Sequence, residues 1–362
     1  MRKFNTTGPC FPDEHYMLPA LDRLPGIREL VAGGNYFVIH APRQTGKTTA
    51  LKALVREIYA KGEMIAVYCT LETIQKLVGS YETAMREIRH LVLKNAGMFR
   101  ELAPLVAEIG ESKSNTGIST AVMDAIQALC VKSPKPIVVF FDEIDCLVGD
   151  VLVSFLRQLR DGYVNRDMMP FPKSVALVGM LDVRDYKAQI RPDGESLGQI
   201  SPFNIIRKDL LIPNFTESDI GTLYAQHTAE TGQVFADGVV EDVWRLTRGQ
   251  PWLVSAIACE CVEEIHGSRY DETITVADVE AAKEAIIREN PIHLDYLFDM
   301  VNSPWVRPYF DACLQGTVTE EMRCNKQFKF LHYLGFLREE EGHFDFANRL
   351  YKDYWNKRTT GI

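Results

Sequence analysis

The chain has no apolar run approaching the roughly 20 residues that a membrane-spanning helix needs. Its opening residues, Met1-Arg2-Lys3-Phe4-Asn5-Thr6-Thr7-Gly8, lack the apolar centre of a secretory signal. There is no internal repeat and no low-complexity tract, so a solenoid or a disordered tail is not expected. The eight cysteines are scattered. Only Cys259 and Cys261 lie close together, in an apolar helical stretch with no second pair. That pattern argues against a metal site and reads as buried free thiols in a reducing, cytoplasmic setting. Net charge is −9, which argues against a surface built throughout for nucleic acid but leaves room for a local basic patch. What remains is ordinary soluble-globular composition, 46% hydrophobic and 25% charged over 362 residues, enough for two or three domains with real cores.

The most specific feature is the run Ala41-Pro42-Arg43-Gln44-Thr45-Gly46-Lys47-Thr48, directly after the apolar residues 36–39. A triphosphate needs several N–H donors converging on one point with no side chain in the way. Gly46 lets backbone approach the β-phosphate, and the helix beginning near Lys47 offers unpaired N–H groups and a positive dipole end. Lys47 is placed to reach the β- and γ-phosphate oxygens, and the Thr48 hydroxyl to ligate Mg²⁺, with Thr49 following at the helix start. Ala41 stands where the usual motif has its first glycine. An alanine there obstructs nothing if its backbone is extended. A chance Gly-Lys-Thr in a surface turn is disfavoured by the strand before it and the helical spacing of Ala50, Leu51, Leu54, Val55 and Ile58 after it.

A second element, Ile137-Val138-Val139-Phe140-Phe141-Asp142-Glu143, reads as a buried parallel strand that delivers two carboxylates at its C-terminal end. Asp142 is the candidate to hold Mg²⁺ through water, and Glu143 to polarise an attacking water. The plainer alternative, an acidic helix cap, suits Asp145 better, since it precedes a helical stretch from Leu147.

Strands are expected at 36–40, 64–69, 137–142 and 174–179. They alternate with helices to 59, then near 74–95, 118–131 and 147–163. Such alternation implies a parallel sheet covered on both faces. Loops are expected at 110–117 and 191–202. Beyond residue 210 the pattern turns helical. Thr216-Glu217-Ser218-Asp219 is a capping box, followed by helices at 239–246, 252–265 and 276–290, with Pro291 past the last. From there two helical segments precede a hairpin turning at Glu341-Gly342. Helices followed by a hairpin describe a winged helix.

With His15-Tyr16, Ala41–Thr48, Asp142-Glu143 and Gly249-Gln250-Pro251-Trp252-Leu253-Val254 in place, the chain resembles the AAA-like and STAND-type bacterial P-loop ATPases from about residue 9 to about 355. The last of these segments is the more family-specific mark. The resemblance implies an α/β P-loop core at 36–210, a helical lid at 211–290 and a winged-helix module at 291–362. It also implies an N-terminal lead-in at 1–35 that packs near the nucleotide. It further implies that Pro251 touches adenine and that Arg184 senses the γ-phosphate. Each has a plain alternative: Pro251 as first-turn helix punctuation, Arg184 in an ion pair with Asp182 or Asp185. His15 and Tyr16 either line the adenine pocket or pack the lead-in. Many oligomeric relatives use an arginine from the next subunit. Arg157, Arg160 and Arg166 are the candidates, Arg160 and Arg166 the better ones, although such arginines are more often simply solvated.

The expected activity is that of an ATP- and Mg²⁺-dependent ATPase switch with a protein partner or homo-oligomeric output. ATP is favoured over GTP because no guanine-reading N/T-K-x-D signature is present. The alternative is a DNA-binding, initiator-like ATPase using 325–334, where Lys326, Gln327, Lys329 and His332 lie among the apolar Phe328, Phe330, Leu331 and Tyr333. The acidic tip Glu339-Glu340-Glu341 speaks against phosphate contact. Lys352, Lys357 and Arg358 read as a solvated tail.

Overall fold

Hydrophobic β-branched runs bounded by helices produce the expected sheet. In the computed structural model, residues 1–77, 79–111, 117–180 and 204–360 are described. They fall into two compact units. One comprises Leu21–Ala41 and Ala50–Leu211, the other Met1–Ala20, Pro42–Thr49 and Ile212–Ile362.

The first unit runs α1 (Ile27–Ala32), β1 (Tyr36–His40), α2 (Lys47–Lys61, whose first residues belong to the other unit) and β2 (Ile65–Thr70). It continues with α3 (Tyr81–Ala96), α4 (Ala103–Glu111), α5 (Ala121–Lys132), β3 (Ile137–Asp142), α6 (Gly149–Val164), β4 (Ser174–Gly179) and β5 (Ile206–Leu211). The five strands are parallel, in the order β2-β3-β4-β1-β5. Every residue of β3 and β4 is buried, as expected of strands covered on both faces. The register pairs His40 with Gly179 and Phe141 with Leu177. The C-terminal ends of β1, β4 and β3 therefore come out along one edge of the sheet, where open α/β sheets bind their ligands.

Four expectations in this unit need correction. The helix expected near 74–95 is a 3₁₀ turn at Glu72–Lys76 followed by α3. The stretch expected as loop from 110 is helical to Glu111 at the end of α4. β5 was not expected at all. Its alternation is broken by Arg207, Lys208 and Asp209, which an edge strand tolerates because one side is unpaired. Asp145 does not cap a helix from Leu147: α6 begins at Gly149, and the Asp145 carboxylate accepts the Met180 backbone N–H at the end of β4. The loop expected at 191–202 lies outside the described residues.

The second unit is helical: α7 (Glu217–Thr231), α8 (Val239–Thr247), α9 (Pro251–Cys259), α10 (Val276–Glu289), α11 (Ile292–Asn302), α12 (Arg307–Gln315), α13 (Glu320–Cys324) and α14 (Lys326–Leu334). The hairpin β6 (Leu337–Glu340) and β7 (His343–Phe346) follows, then α15 (Arg349–Thr360). The Thr216–Asp219 capping box is present. The helix expected over 252–265 starts one residue earlier, and its last turn, Glu260–Ile265, is π-helical. At Gly249, φ is +70° and a Cβ would lie 1.8 Å from the Phe215 carbonyl oxygen, so only glycine fits between α8 and α9. Glu341 and Gly342, both with positive φ, turn the hairpin.

Two aromatic clusters anchor this unit. Phe4, Tyr16, Tyr224, His227 and Phe235 form one; Phe310, Phe336, Phe346 and Trp355 form the other. Residues 352–358 are not a tail. They lie on α15, whose Leu350, Tyr351, Tyr354 and Trp355 are core, and Arg358 pairs with Asp295 at 3.2 Å. None of the eight cysteines is in a disulfide. Cys69, Cys261 and Cys313 are buried, but Cys324 is exposed because α13 buries no residue.

Candidate functional site

The loop between β1 and α2 passes through left-handed backbone at two positions. Gly46 has φ +93°, and Gln44 is also left-handed at φ 63°. Ala41 is buried with φ outside the left-handed range, so its Cβ costs the loop nothing. The Pro42 carbonyl accepts from the Thr45 hydroxyl at 2.8 Å and from Lys47 Nζ at 2.9 Å. Thr45, Lys47 and Thr49 are buried, Thr48 half-buried. α2 starts at Lys47, so the N–H groups of its first turn face the loop without intrahelical partners.

Within the helical unit, segments far apart in sequence hold this loop. Gln250 Nε2 donates to the Gln44 carbonyl at 3.3 Å, while its Oε1 caps α9 through Leu253 N at 2.7 Å. The Arg43 guanidinium lies 4.3 Å from the Tyr296 ring centroid on α11. Gly335, with φ +71° at the end of α14, leaves the space that the Pro42 ring fills; a Cβ there would come within 2.6 Å. The Thr49 hydroxyl accepts from Cys10 N at 3.1 Å. Beneath Arg43, His293 is buried with its Nε2 3.0 Å from the Tyr351 hydroxyl, and burial followed by the Arg43 charge pulls its pKa down to about 4.

Pro251 is buried at N1 of α9. His15 is buried, its Nδ1 accepting from Phe11 N. The Tyr16 ring packs between Phe4 and His227, and burial pushes its hydroxyl pKa up to about 12. The structure therefore brings His15, Tyr16, Pro251 and the loop into one unit.

The carboxylates stand at the end of β3 in the sheet unit. Asp142 is buried; its Oδ2 accepts from the Tyr68 hydroxyl at 2.8 Å and its Oδ1 from Glu143 N at 3.0 Å. Glu143 has φ 57° and ψ 44°, a left-handed conformation that costs a non-glycine residue about 1–2 kcal/mol. Such strain persists where surrounding structure imposes it, and here it carries the Glu143 side chain away from the strand's alternation. Arg157 lines a cavity of about 470 Å³ with Tyr81, Asp150 and Gln158. Arg166 lies 3.6 Å over the Tyr163 ring, which packs on Tyr36 at the start of β1, the end of the sheet remote from the carboxylates. Arg160 is half-buried with its Nε lacking a hydrogen-bond partner. Arg184 lies outside the described residues.

Sequence reasoning assigned no role to Gln250, Tyr296, Gly335 or Tyr68. Gln250 alone carried a signal, a hydrogen-bonding side chain immediately before a proline at a helix start.

A family profile described as an AAA-like domain matches residues 24–357. The chain belongs to the AAA-like domain family. The solved structures similar to this AAA-like domain include the Walker-type ATPase of Pyrococcus abyssi, 14% identical with a TM-score of 0.60, covering 97% of this chain and 99% of that one. Also similar are the Orc1 protein of Aeropyrum pernix in complex with DNA (14% identity, TM-score 0.45, 96% and 95% covered) and the RuvB Holliday junction branch migration motor of Thermotoga maritima (12%, 0.44, 92% and 93%). No curated protein matches this AAA-like domain in sequence. The P. abyssi likeness extends over nearly both chains, so the AAA-like domain has the α/β fold of P-loop ATPases with a helical C-terminal region. Among the described residues no helix is long and apolar enough to cross a membrane.

Proposed function

We propose that this AAA-like domain is an ATP-binding and ATP-hydrolysing switch of the STAND type, whose nucleotide state controls the lid and winged-helix segments and through them a protein partner or self-assembly. The supporting observation is the grip on the loop: Gln250, Tyr296 and Gly335 each touch a different residue of Pro42–Gln44. A loop that must reshape around phosphates cannot do so without disturbing α9, α11 and α14. Nucleotide state thereby biases the helical segments, as a ligand with different affinities for two arrangements must.

In this proposal 1–35 is a lead-in, 36–210 the ATPase core, 211–290 the lid and 291–362 a winged-helix module. Residues Ala41–Thr49 wrap the phosphates, with Lys47 as the cation. Pro251 meets adenine, His15 and Tyr16 line the adenine pocket, and Arg184 reads the γ-phosphate. The Thr48 hydroxyl and Asp142 carboxylate are hard oxygen donors of the kind Mg²⁺ takes, so the donor chemistry fits. Mg²⁺, when bound, supplies charge neutralisation at the β- and γ-phosphate oxygens. Glu143 accepts a hydrogen bond from the attacking water and orients it. A second reading, DNA binding through α14 and the hairpin, has less support: Arg323 is held by Glu339 at 2.7 Å, and Arg338 by Glu340.

Nucleotide binding and hydrolysis of the native chain, Lys47→Ala and Glu143→Gln test the proposal. Lys47→Ala should lose ATP binding. Glu143→Gln should retain it while turnover falls by about 10²-fold or more. Retained ATP affinity in Lys47→Ala would contradict the site. The mass in solution should rise with a non-hydrolysable ATP analogue and not with ADP if self-assembly is the output; an unchanged mass assigns the output to a separate partner.

A further inference from the structure

Asp142 ends a fully buried strand, and a phenol on the neighbouring strand meets its Oδ2. Tyr68 sits on β2 in register with Phe140, and Thr70 with Asp142. Tyr68 therefore stands two residues back from Asp142's cross-strand partner, on the same face of the sheet. A tyrosine is long enough to span that diagonal, and its hydroxyl donates to Asp142 Oδ2 at 2.8 Å. β2 is an edge strand, and Tyr68 is half-buried there. The ring has a second constraint: Lys52 Nζ, on α2, lies 5.9 Å from its centroid. Lys52 comes four residues after Thr48, one helical turn along α2.

We propose that Tyr68 is the positioning residue for Asp142 as a magnesium ligand. This rests on the assignment of Thr48 and Asp142 to Mg²⁺. The carboxylate accepts from the Tyr68 hydroxyl at Oδ2 and from the Glu143 N–H at Oδ1. A lysine or arginine in place of Tyr68 would hold the carboxylate equally well, but its charge would oppose a cation at the same oxygens. A neutral hydroxyl orients the carboxylate and brings no opposing charge of its own. It is the same arrangement by which partners of metal ligands elsewhere orient them, where removal costs about 10- to 100-fold in metal affinity.

The test is the affinity of the full chain for a non-hydrolysable, fluorescent ATP analogue, measured in Mg²⁺ and again in EDTA, for native protein, Tyr68→Phe and Asp142→Asn. Binding of Mn²⁺ in the presence of the analogue, followed by electron paramagnetic resonance, reads the metal directly. Tyr68→Phe keeps the ring and its contact with Lys52. It should reduce the Mg²⁺-to-EDTA affinity ratio about tenfold and weaken Mn²⁺ binding to match, with affinity in EDTA unchanged. Equal loss in Mg²⁺ and EDTA would mean that Tyr68 only packs, and overturns the proposal. A normal ratio in Tyr68→Phe with a collapsed ratio in Asp142→Asn overturns the role of Tyr68 and leaves the site standing. A normal ratio in Asp142→Asn overturns both.

Discussion

The phosphate loop and the acidic strand end are both nucleotide-site candidates, and they are held in opposite ways. Asp142 is fixed by its own sheet: the adjacent strand supplies Tyr68 and the next peptide supplies the Glu143 N–H. Pro42–Thr49 is fixed by the N-terminal segment and by helical segments of its own unit, from Cys10 to Gly335. A rigid sheet edge suits a metal ligand, whose geometry must not change between nucleotide states. A loop braced by helical segments suits a sensor, because each brace is also a route by which the loop's shape can be felt. Bracing within the sheet suits a constant carboxylate half; bracing by helices suits a loop half that responds, as the proposed switch requires.

Four experiments sharpen or break that contrast. The largest effect is expected from Gly249→Ala. A left-handed φ and a carbonyl oxygen 1.8 Å from the new Cβ leave no relaxed solution, and thermal unfolding should report a loss of at least about 3 kcal/mol. Tolerance of alanine there would mean that the turn before α9 is not rigid enough to brace anything.

Next comes pH. His293 is buried and neutral, its pKa near 4, against about 6.5 in an unfolded chain. The unfolded state therefore binds more protons between about pH 6.5 and 4. The stability from this group is complete above pH 6.5 and is lost as pH falls toward 4, by up to about 1.4 kcal/mol per pH unit. Denaturant titrations across that window should show the slope, and His293→Gln should flatten it. His227, whose pKa burial also lowers, leaves a remainder in the variant. An unchanged slope in His293→Gln would remove the buried neutral histidine from beneath Arg43.

Gln250→Ala removes both the cap on Leu253 and the donor to Gln44. It should cost about 1–2 kcal/mol of stability and weaken ATP binding severalfold, read by calorimetry. Stability loss with ATP affinity intact would show that the cap matters and the brace does not, and the two halves would then differ less than proposed. The smallest effect is expected from Tyr296→Leu, which removes the ring beneath Arg43. The cation–π term is worth about 0.5–1 kcal/mol, so ATP affinity should shift by about two- to fivefold.

Much of the architecture could be read before any coordinates. β1, β3 and β4 follow from unbroken apolar runs, and the Thr216 capping box from four adjacent residues. Errors came where the deciding information was not local. β5 carries Arg207, Lys208 and Asp209, and only its place at the sheet edge makes that acceptable. Asp145 has the composition of a helix cap, but it was claimed instead by a peptide N–H thirty-five residues away at Met180. The basic residues at 352–358 resemble a solvated tail until the aromatic face of α15 is seen packed in the core.

The same division holds for the candidate site. Local chemistry alone marked residues 41–48 as the candidate phosphate loop and 137–143 as a strand ending in carboxylates, because donor density, glycine placement and strand polarity are properties of adjacent residues. Only the tertiary structure decided that Gln250, Tyr296 and Gly335 press on that loop and that Tyr68 holds Asp142. Those contacts join positions up to 293 apart, Pro42 and Gly335 among them, and distances between such positions are set by how helices and strands pack, which no window of sequence contains.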